Sequence, residues 1–168
     1  MAEHQHSDKH EAHRKLVGRL REMAGDVRRI TAGLDEASLA KRTVADKWSL
    51  KELVCHLERL QRVFEGRIEA MLLRDNPEVA RYDPDGDLEF QKMVELRAGD
   101  AIAEFLKHRE QFADRLENLS PAEWHRPGQH PDFPHFDVHF QVEYMAHHEA
   151  HHIYQMFQRR VPLGRMPH

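Results

Sequence analysis

Apolar residues recur three and four positions apart along most of the chain, the spacing that places them on one face of an α-helix. The first such stretch predicts a helix from about Glu11 to Leu34. The second predicts a helix from Leu50 to about Leu73, because Ser49 can cap it and Glu52, three residues on, can complete a capping box. Each of these helices has an apolar face to bury against other helices.

The second half of the chain predicts two further long helices. One runs from about Leu88 to Leu119, with a kink or a break expected at Gly99. A capping-box pattern with a proline at the first helical position predicts a short helical turn near residues 120–125, which carries Trp124. The last long helix is expected from about Phe136 to Arg160.

Four long amphipathic helices and no alternating strand pattern predict an all-α fold, an antiparallel four-helix bundle with the additional short turn. A chain of 168 residues has the length of one domain. We expect a flexible N-terminal arm at residues 1–12, the four-helix-bundle domain at residues 13–162 and a C-terminal tail at residues 163–168. The long connections leave the packing order of the helices open.

Charge and composition argue against several classes of partner. The net charge is -4, and acidic and basic residues are interspersed, so no basic surface for nucleic acid or an anionic membrane is expected. No stretch approaches the ~18 apolar residues of a membrane span, and the N-terminus lacks the apolar run of a signal peptide. The single cysteine, Cys55, fits a reducing compartment and is expected to be a buried structural thiol. We therefore expect a cytoplasmic protein.

Histidine is unusually frequent, with 15 of the 168 residues, so histidine spacing alone identifies no site. Such a composition produces roughly one H-x-x-x-H pair by chance, the false-positive risk of any short motif. The chain has four such pairs, which are His6/His10, His135/His139, His147/His151 and His148/His152.

Helical phase distinguishes the last two pairs, because each residue turns ~100° about the helix axis. His148 and His152 fall on the apolar face with Met145. His147 and His151 fall near the opposite side, where we expect them in solvent or at a dimer interface. The inward pair is therefore the candidate for a site.

Two inward histidines one helical turn apart can share a metal ion, and a site that activates a ligand needs at least a third protein donor. His56 is the candidate, because it lies on the apolar stripe of the second helix, one turn from Leu53 and Leu60. Three buried imidazoles without an ion would leave polar atoms unpaired, which favours a metal site. The predicted cofactor is one divalent ion bound by His56, His148 and His152, with zinc, nickel and iron as the leading candidates.

Two polar neighbours of these histidines are candidate site residues. Helical phase puts Glu149 near the middle of the buried face, where a carboxylate needs a partner. We expect it to accept a hydrogen bond from the free ring N–H of a ligand histidine, with a general base as the second interpretation and a surface position as the third. Gln155 continues the row of His148 and His152, either as a hydrogen-bond donor that lines the site or as a filler residue.

The segment from His148 to His152 also reads H-E-x-x-H, the pattern of zinc proteases. Such enzymes need a third ligand downstream at a defined spacing. Only 16 residues follow His152, none of them Asp or Glu, and Gln155 and Gln158 occupy the positions where a metzincin has glycine and histidine. The sequence therefore argues against a protease.

Two segments of the chain resemble the signature segments of the DinB-like superfamily. They read W-S-x-x-E-x-x-x-H-L at residues 48–57 and H-E-x-x-H-x-x-Q at residues 148–155. The resemblance implies a four-helix bundle with an open three-histidine metal site, whose ligands are His56, His148 and His152. It also implies a homodimer.

The resemblance covers roughly residues 10–160, and it leaves two kinds of activity open. Characterised branches of the superfamily include S-transferases that use bacillithiol, mycothiol or glutathione-like thiols and a thiol-dependent isomerase, whereas many other members are described only as metal-dependent hydrolases. The thiol-transferase branch commonly has Arg-Gly before the glutamine of the last motif, where this chain has Ile153-Tyr154.

The predicted function is therefore that of a metal-dependent enzyme, of thiol S-transferase or hydrolase type, which acts on a small molecule by Lewis-acid catalysis. A low-molecular-weight thiol is an optional cosubstrate, and neither nucleic acid nor membrane is an expected partner. The alternatives are a non-catalytic metal-binding or storage protein and a metal-free helical interaction module.

Overall fold

The computed structural model describes residues 2–167, and their side chains from residue 10 onwards. Its secondary structure is helical, apart from two isolated β-bridges between loop segments. The helices are α1 (Ala2–Thr31), α2 (Glu36–Ala40), α3 (Leu50–Leu73), α4 (Leu88–Val94), α5 (Ala98–Glu117), α6 (Pro121–Trp124) and α7 (Val138–Arg160), and a 3-10 turn follows at Val161–Leu163.

The four long helices, α1, α3, α5 and α7, form a four-helix bundle, which confirms the all-α fold class. Both α1 and α3 pack against α5 and α7, so α1 and α3 lie diagonally opposite each other. The sequence left this packing order open. The observed packing places α3 directly beside α7, and these two helices carry the three predicted ligands.

Contacts along the helices give their directions. His13 in the first half of α1 meets His139 near the start of α7, and Arg160 at the end of α7 donates a hydrogen bond to the carbonyl of Ile30 near the end of α1. These two helices are therefore parallel. Contacts between α3 and α5 advance together along both helices, so this pair is parallel as well. Contacts between α3 and α7 advance in opposite directions, so the two pairs run antiparallel to each other.

Both predicted capping boxes are present. At the start of α3, the hydroxyl of Ser49 accepts a hydrogen bond from the backbone N–H of Glu52, and the Glu52 carboxylate accepts one from the backbone N–H of Ser49, each at 3.1 Å. The same pair of bonds joins Ser120 and Glu123 at the start of α6. The first box sets where α3 begins, and so the rotational position of His56 two turns further on.

The long helix predicted from Leu88 to Leu119 is two helices, broken at residues 95–97. The carboxylate of Glu36 in α2 accepts hydrogen bonds from the backbone N–H groups of Ala98 at 2.7 Å and Gly99 at 2.9 Å. These N–H groups have no partner within their own helix, so an acidic side chain 62 positions away stabilises a new helix start there. Neither α2 nor this contact was predicted.

The first helix begins at Ala2 and ends at Thr31, whereas the sequence predicted Glu11 to Leu34. Its backbone therefore continues through most of the segment expected to be an arm. The division into arm, bundle and tail stays a prediction. Within residues 2–167, no helix combines the length and the apolar character needed to cross a membrane.

Candidate metal centre

The three histidines predicted as metal ligands meet at one point between α3 and α7. The Nε2 atom of His152 is 3.1 Å from Nε2 of His56 and 3.1 Å from Nε2 of His148. Among the side chains from residue 10 onwards, these are the one group of three histidine, cysteine or acidic residues whose ligand atoms all lie within 4.8 Å of one another. The structure thus brings the predicted ligands together, and metal binding itself stays a prediction.

Two of the three separations between these nitrogens fit a shared divalent ion. Two nitrogens that each lie ~2.0 to 2.1 Å from a tetrahedral ion are about 3.3 to 3.4 Å apart, close to the separations of 3.1 Å here. Burial, and after it the neighbouring rings, lower the pKa of His56 to about 3 and the pKa of His148 to about 4. Burial also lowers the pKa of His152. Near pH 7 the rings are therefore neutral, the form in which imidazole binds a metal ion.

Aromatic side chains surround the rings of His56 and His148. The ring of Trp48 lies 4.8 Å from that of His56. Tyr144 stacks on His148 with its ring centre at 6.2 Å and an angle of 9° between the planes, and Phe64 meets His148 edge-on at 6.2 Å. These contacts restrict rotation of the two rings.

Gln155 orients the third ring. Its Oε1 atom lies 2.8 Å from Nδ1 of His152 and accepts the proton of that nitrogen. The Nε2 atom of His152 is then unprotonated and directed at the other two histidines. Of the two interpretations that the sequence left open for Gln155, this contact favours the one in which it lines the site, although as an acceptor rather than a donor.

Replacing Gln155 with leucine should weaken Zn²⁺ binding by about 10- to 100-fold, the usual effect of losing a hydrogen bond that orients a ligand histidine. Isothermal titration calorimetry measures the change. The matched control is Gln158→Leu, because Gln158 is exposed on the same helix. Equal affinities of Gln155→Leu and the control would contradict the role given to Gln155.

Glu149 is buried as predicted, but its partner is not a ligand histidine. Its two carboxylate oxygens accept hydrogen bonds from the guanidinium group of Arg109 at 2.7 and 2.5 Å. Arg109 also donates hydrogen bonds to the side chain of Gln61 and to the carbonyl of Leu20. Both oxygens of Glu149 are thus engaged in the bundle interior, which favours a structural role over that of a general base.

Sequence analysis missed Arg109, although a signal was present. Arg109 lies four residues after Phe105 and three before Phe112, inside the apolar stripe of α5. Arginine is almost never fully buried without a partner. An arginine on one buried stripe and Glu149 on another are therefore a predictable pair once α5 and α7 are known to face each other diagonally across the bundle.

A cavity of about 250 Å³ opens on the histidine cluster. His56 and His148 line it, and its other walls come from α3, α7 and the loops at residues 81–84 and 130–133. A two-bond ion pair between Arg81 and Asp132 joins these loops. The volume lies just below the ~300 to 1,000 Å³ of most small-molecule sites, so the cavity admits a small molecule.

Tyr82 in the cavity wall is held in place by an acidic partner. Its hydroxyl donates a hydrogen bond to Asp87 at 2.5 Å, and Nε of Arg59 donates one to the same carboxylate oxygen at 2.8 Å. Burial, and after it the bond to Asp87, raise the pKa of Tyr82 to about 12. Tyr82 therefore remains a protonated phenol tied to the wall rather than an acid or base for chemistry in the cavity.

Comparison with known protein families assigns the chain to one of them. The sequence profile of the DinB superfamily matches residues 19–156, which include all three site histidines. This chain belongs to the DinB superfamily. The family resemblance of the two motifs is thus confirmed. No curated protein matches the chain.

The fold of this DinB protein is similar to that of YfiT from Bacillus subtilis. The two chains are 17% identical, the match covers 92% of this chain and 89% of that chain, and the TM-score is 0.78. YfiT is described as a probable metal-dependent hydrolase with an unusual four-helix bundle topology. At this identity the likeness shows the fold, and it agrees with the bundle described above.

Two further predictions concern residues beside the DinB site. His147 and His151 are exposed, as helical phase indicated. Cys55 is buried, with its sulfur 3.4 Å from the carbonyl oxygen of Met93. Burial raises the pKa of the Cys55 thiol to about 11, so it is a structural thiol and not a nucleophile.

Proposed function

We propose that this DinB protein is a metal-dependent enzyme that acts on a small molecule at the site formed by His56, His148 and His152. The proposal rests on one observation, that a small cavity opens onto His56 and His148, two of three convergent, neutral imidazoles. A storage site does not require a substrate-sized cavity beside the ligands. The all-imidazole donor set suits zinc, nickel and iron.

The residues around the site hold the three imidazole rings in positions from which they can bind an ion. A divalent ion held by the three nitrogens would supply Lewis-acid activation of water, a thiol or a substrate oxygen, and at least one coordination position would remain for these ligands. Gln155 keeps the proton of His152 on Nδ1, so that the lone pair of Nε2 is available. Trp48 and Tyr144 pack on the other two rings and restrict their rotation.

Hydrolysis and thiol transfer each have a specific observation in their favour. The Ile153-Tyr154 segment differs from the thiol-transferase branch, which favours hydrolysis. Among the described residues that line the cavity, the one carboxylate is Asp132, which is paired with Arg81. The cavity wall thus offers no free carboxylate as a general base, and attack by a thiolate needs none.

The activity test compares zinc-loaded protein with metal-stripped protein. One panel contains esters and amides, and the other offers a broad electrophile together with several low-molecular-weight thiols. Metal-dependent cleavage with no thiol conjugation would establish a hydrolase, and conjugation with one of the thiols would establish a transferase. If the protein binds zinc but is inactive in both panels, a metal-storage protein replaces the proposal. If the protein binds no metal, a metal-free interaction module replaces the proposed enzyme.

Three finer expectations from the sequence belong to this proposal as predictions. They are the low-molecular-weight thiol cosubstrate, the homodimer and the cytoplasmic location. Size-exclusion chromatography with light scattering tests the homodimer directly.

A further inference from the structure

Arg67 carries a charge in the cavity that has no acidic partner among the side chains from residue 10 onwards. Its Nη1 donates a hydrogen bond to Oε1 of Gln141 at 3.1 Å, and its Nη2 donates one to the carbonyl of Ala80 at 2.7 Å. Both acceptors are neutral. Because a guanidinium group keeps its proton in proteins, Arg67 gives the cavity a permanent positive charge.

The surroundings of the Arg67 guanidinium group are partly buried and contain other titratable and aromatic side chains. Arg67 contributes, after burial, to the lowered pKa of His130, which also lines the cavity. Burial also lowers the pKa of Arg67 itself, because the charged form loses hydration. The guanidinium carbon lies 5.4 Å from the ring centre of Phe64, which in turn contacts His148. A partly buried cation of this kind is stabilised by an anion at its free N–H groups.

The other charged groups of the cavity cancel one another. Arg81 is paired with Asp132 across the two loops. The cavity is therefore suited to a ligand with a negative charge at the Arg67 end.

We propose that Arg67 binds an oxyanion group of the substrate, a carboxylate or a phosphate, while the reacting end of the same molecule lies at the three histidines. The inference rests on the proposed function, because it names the residue that binds the far end of the substrate of that site. Arg67 follows His56 by eleven residues on α3, about 16 Å between Cα atoms at ~1.5 Å per residue. Long side chains on a helix lean towards its N-terminus, which brings the guanidinium group of Arg67 nearer to the cluster.

The test uses zinc-loaded, full-length protein and three series of hydroxamates with two to four methylene groups. The series end in a methyl, a carboxylate or a phosphonate group. The hydroxamate end chelates zinc in all three series, so the difference between tails reports on Arg67. We expect isothermal titration calorimetry to show that one anionic series binds at least about tenfold tighter than the methyl series, the effect of a charge-assisted hydrogen bond.

Variants separate charge recognition from a structural role. Arg67→Met should remove the preference for the anionic tail while the methyl series keeps its affinity. Arg67→Lys should retain part of the preference. The matched control is Arg62→Met, because Arg62 lies on the same helix, pairs with Glu58 and Glu104, and is not part of the cavity wall.

The outcomes distinguish this inference from the proposed function. Equal binding of all three tails by the wild type would overturn the role of Arg67 and leave the metal site in place. An equal loss for every tail in Arg67→Met would also overturn it, because a purely structural arginine predicts that result. If no hydroxamate binds, the bound zinc offers no coordination position to a small molecule, and the proposed function is wrong. The inference then fails as well, unless glutarate or inorganic phosphate raises the Tm of the wild type but not that of Arg67→Met.

Discussion

Replacing Arg109 with methionine should lower the free energy of unfolding by about 3 to 5 kcal/mol, because it leaves a buried carboxylate without its partner. Arg109 is 1% exposed, and Glu149 is 2% exposed. The substitution also removes the donors that Gln61 and the carbonyl of Leu20 now have. Unfolding by urea, followed by circular dichroism, measures the difference.

The matched control is Arg115→Met on the same helix. Arg115 pairs with Glu69 of α3 through two hydrogen bonds, as Arg109 pairs with Glu149. The side chains of Arg115 and Glu69, however, are 46% and 37% exposed. Exposed pairs contribute about 0 to 1 kcal/mol, so this variant should be close to the wild type in stability.

The double variant Arg109→Met/Glu149→Leu should recover much of the lost stability, since apolar side chains often replace a buried ion pair at little cost. It also tests the role of Glu149 at the metal site. If the double variant folds and binds Zn²⁺ as the wild type does, the carboxylate is structural. If it folds but has lost Zn²⁺ binding, Glu149 acts on the ligands. An Arg109→Met variant as stable as its Arg115→Met control would contradict the buried pair.

Helical phase accounts for what the sequence predicted correctly about the site. A helix gives each residue a fixed angle about its axis, so His148 and His152 could be separated from His147 and His151 although the two pairs overlap. His56 could be found in the same way, because it interrupts an otherwise apolar stripe. These assignments depend only on local periodicity, which a long helix preserves.

The features that escaped prediction depend on contacts between distant segments. Glu36 caps the start of α5, and Arg109 meets Glu149 only because α5 and α7 are brought together across the bundle. The cavity walls at residues 81–84 and 130–133 lie in loops, which have no periodicity that would give the direction of their side chains. The order in which the helices pack decides all of these contacts. That order was the part of the fold left open by the long connections.

Replacing His56 with alanine should abolish stoichiometric Zn²⁺ binding, with a loss of affinity of more than about 100-fold. The reason is geometric, because His56 is the one ligand that α3 contributes, and the two nitrogens left on α7 cannot form a three-coordinate site. Metal analysis after dialysis should find about one ion per chain in the wild type, as expected for a single structural or catalytic zinc site. It should find almost none in the variant.

The control for this experiment is His147→Ala/His151→Ala, which removes the exposed H-x-x-x-H pair from the same helix. A ligand present at 100 times its Kd stabilises the folded state by about 2.7 kcal/mol, so Zn²⁺ should raise the Tm of the wild type and of the control. The Tm of His56→Ala should be unaffected by Zn²⁺, and its metal-free melting curve shows whether this variant is folded. Full stoichiometry in His56→Ala, together with a loss in the control, would assign the ion to surface histidines. No metal ion would then be bound beside the cavity at His56 and His148, and the proposal of a metal-dependent enzyme would be wrong.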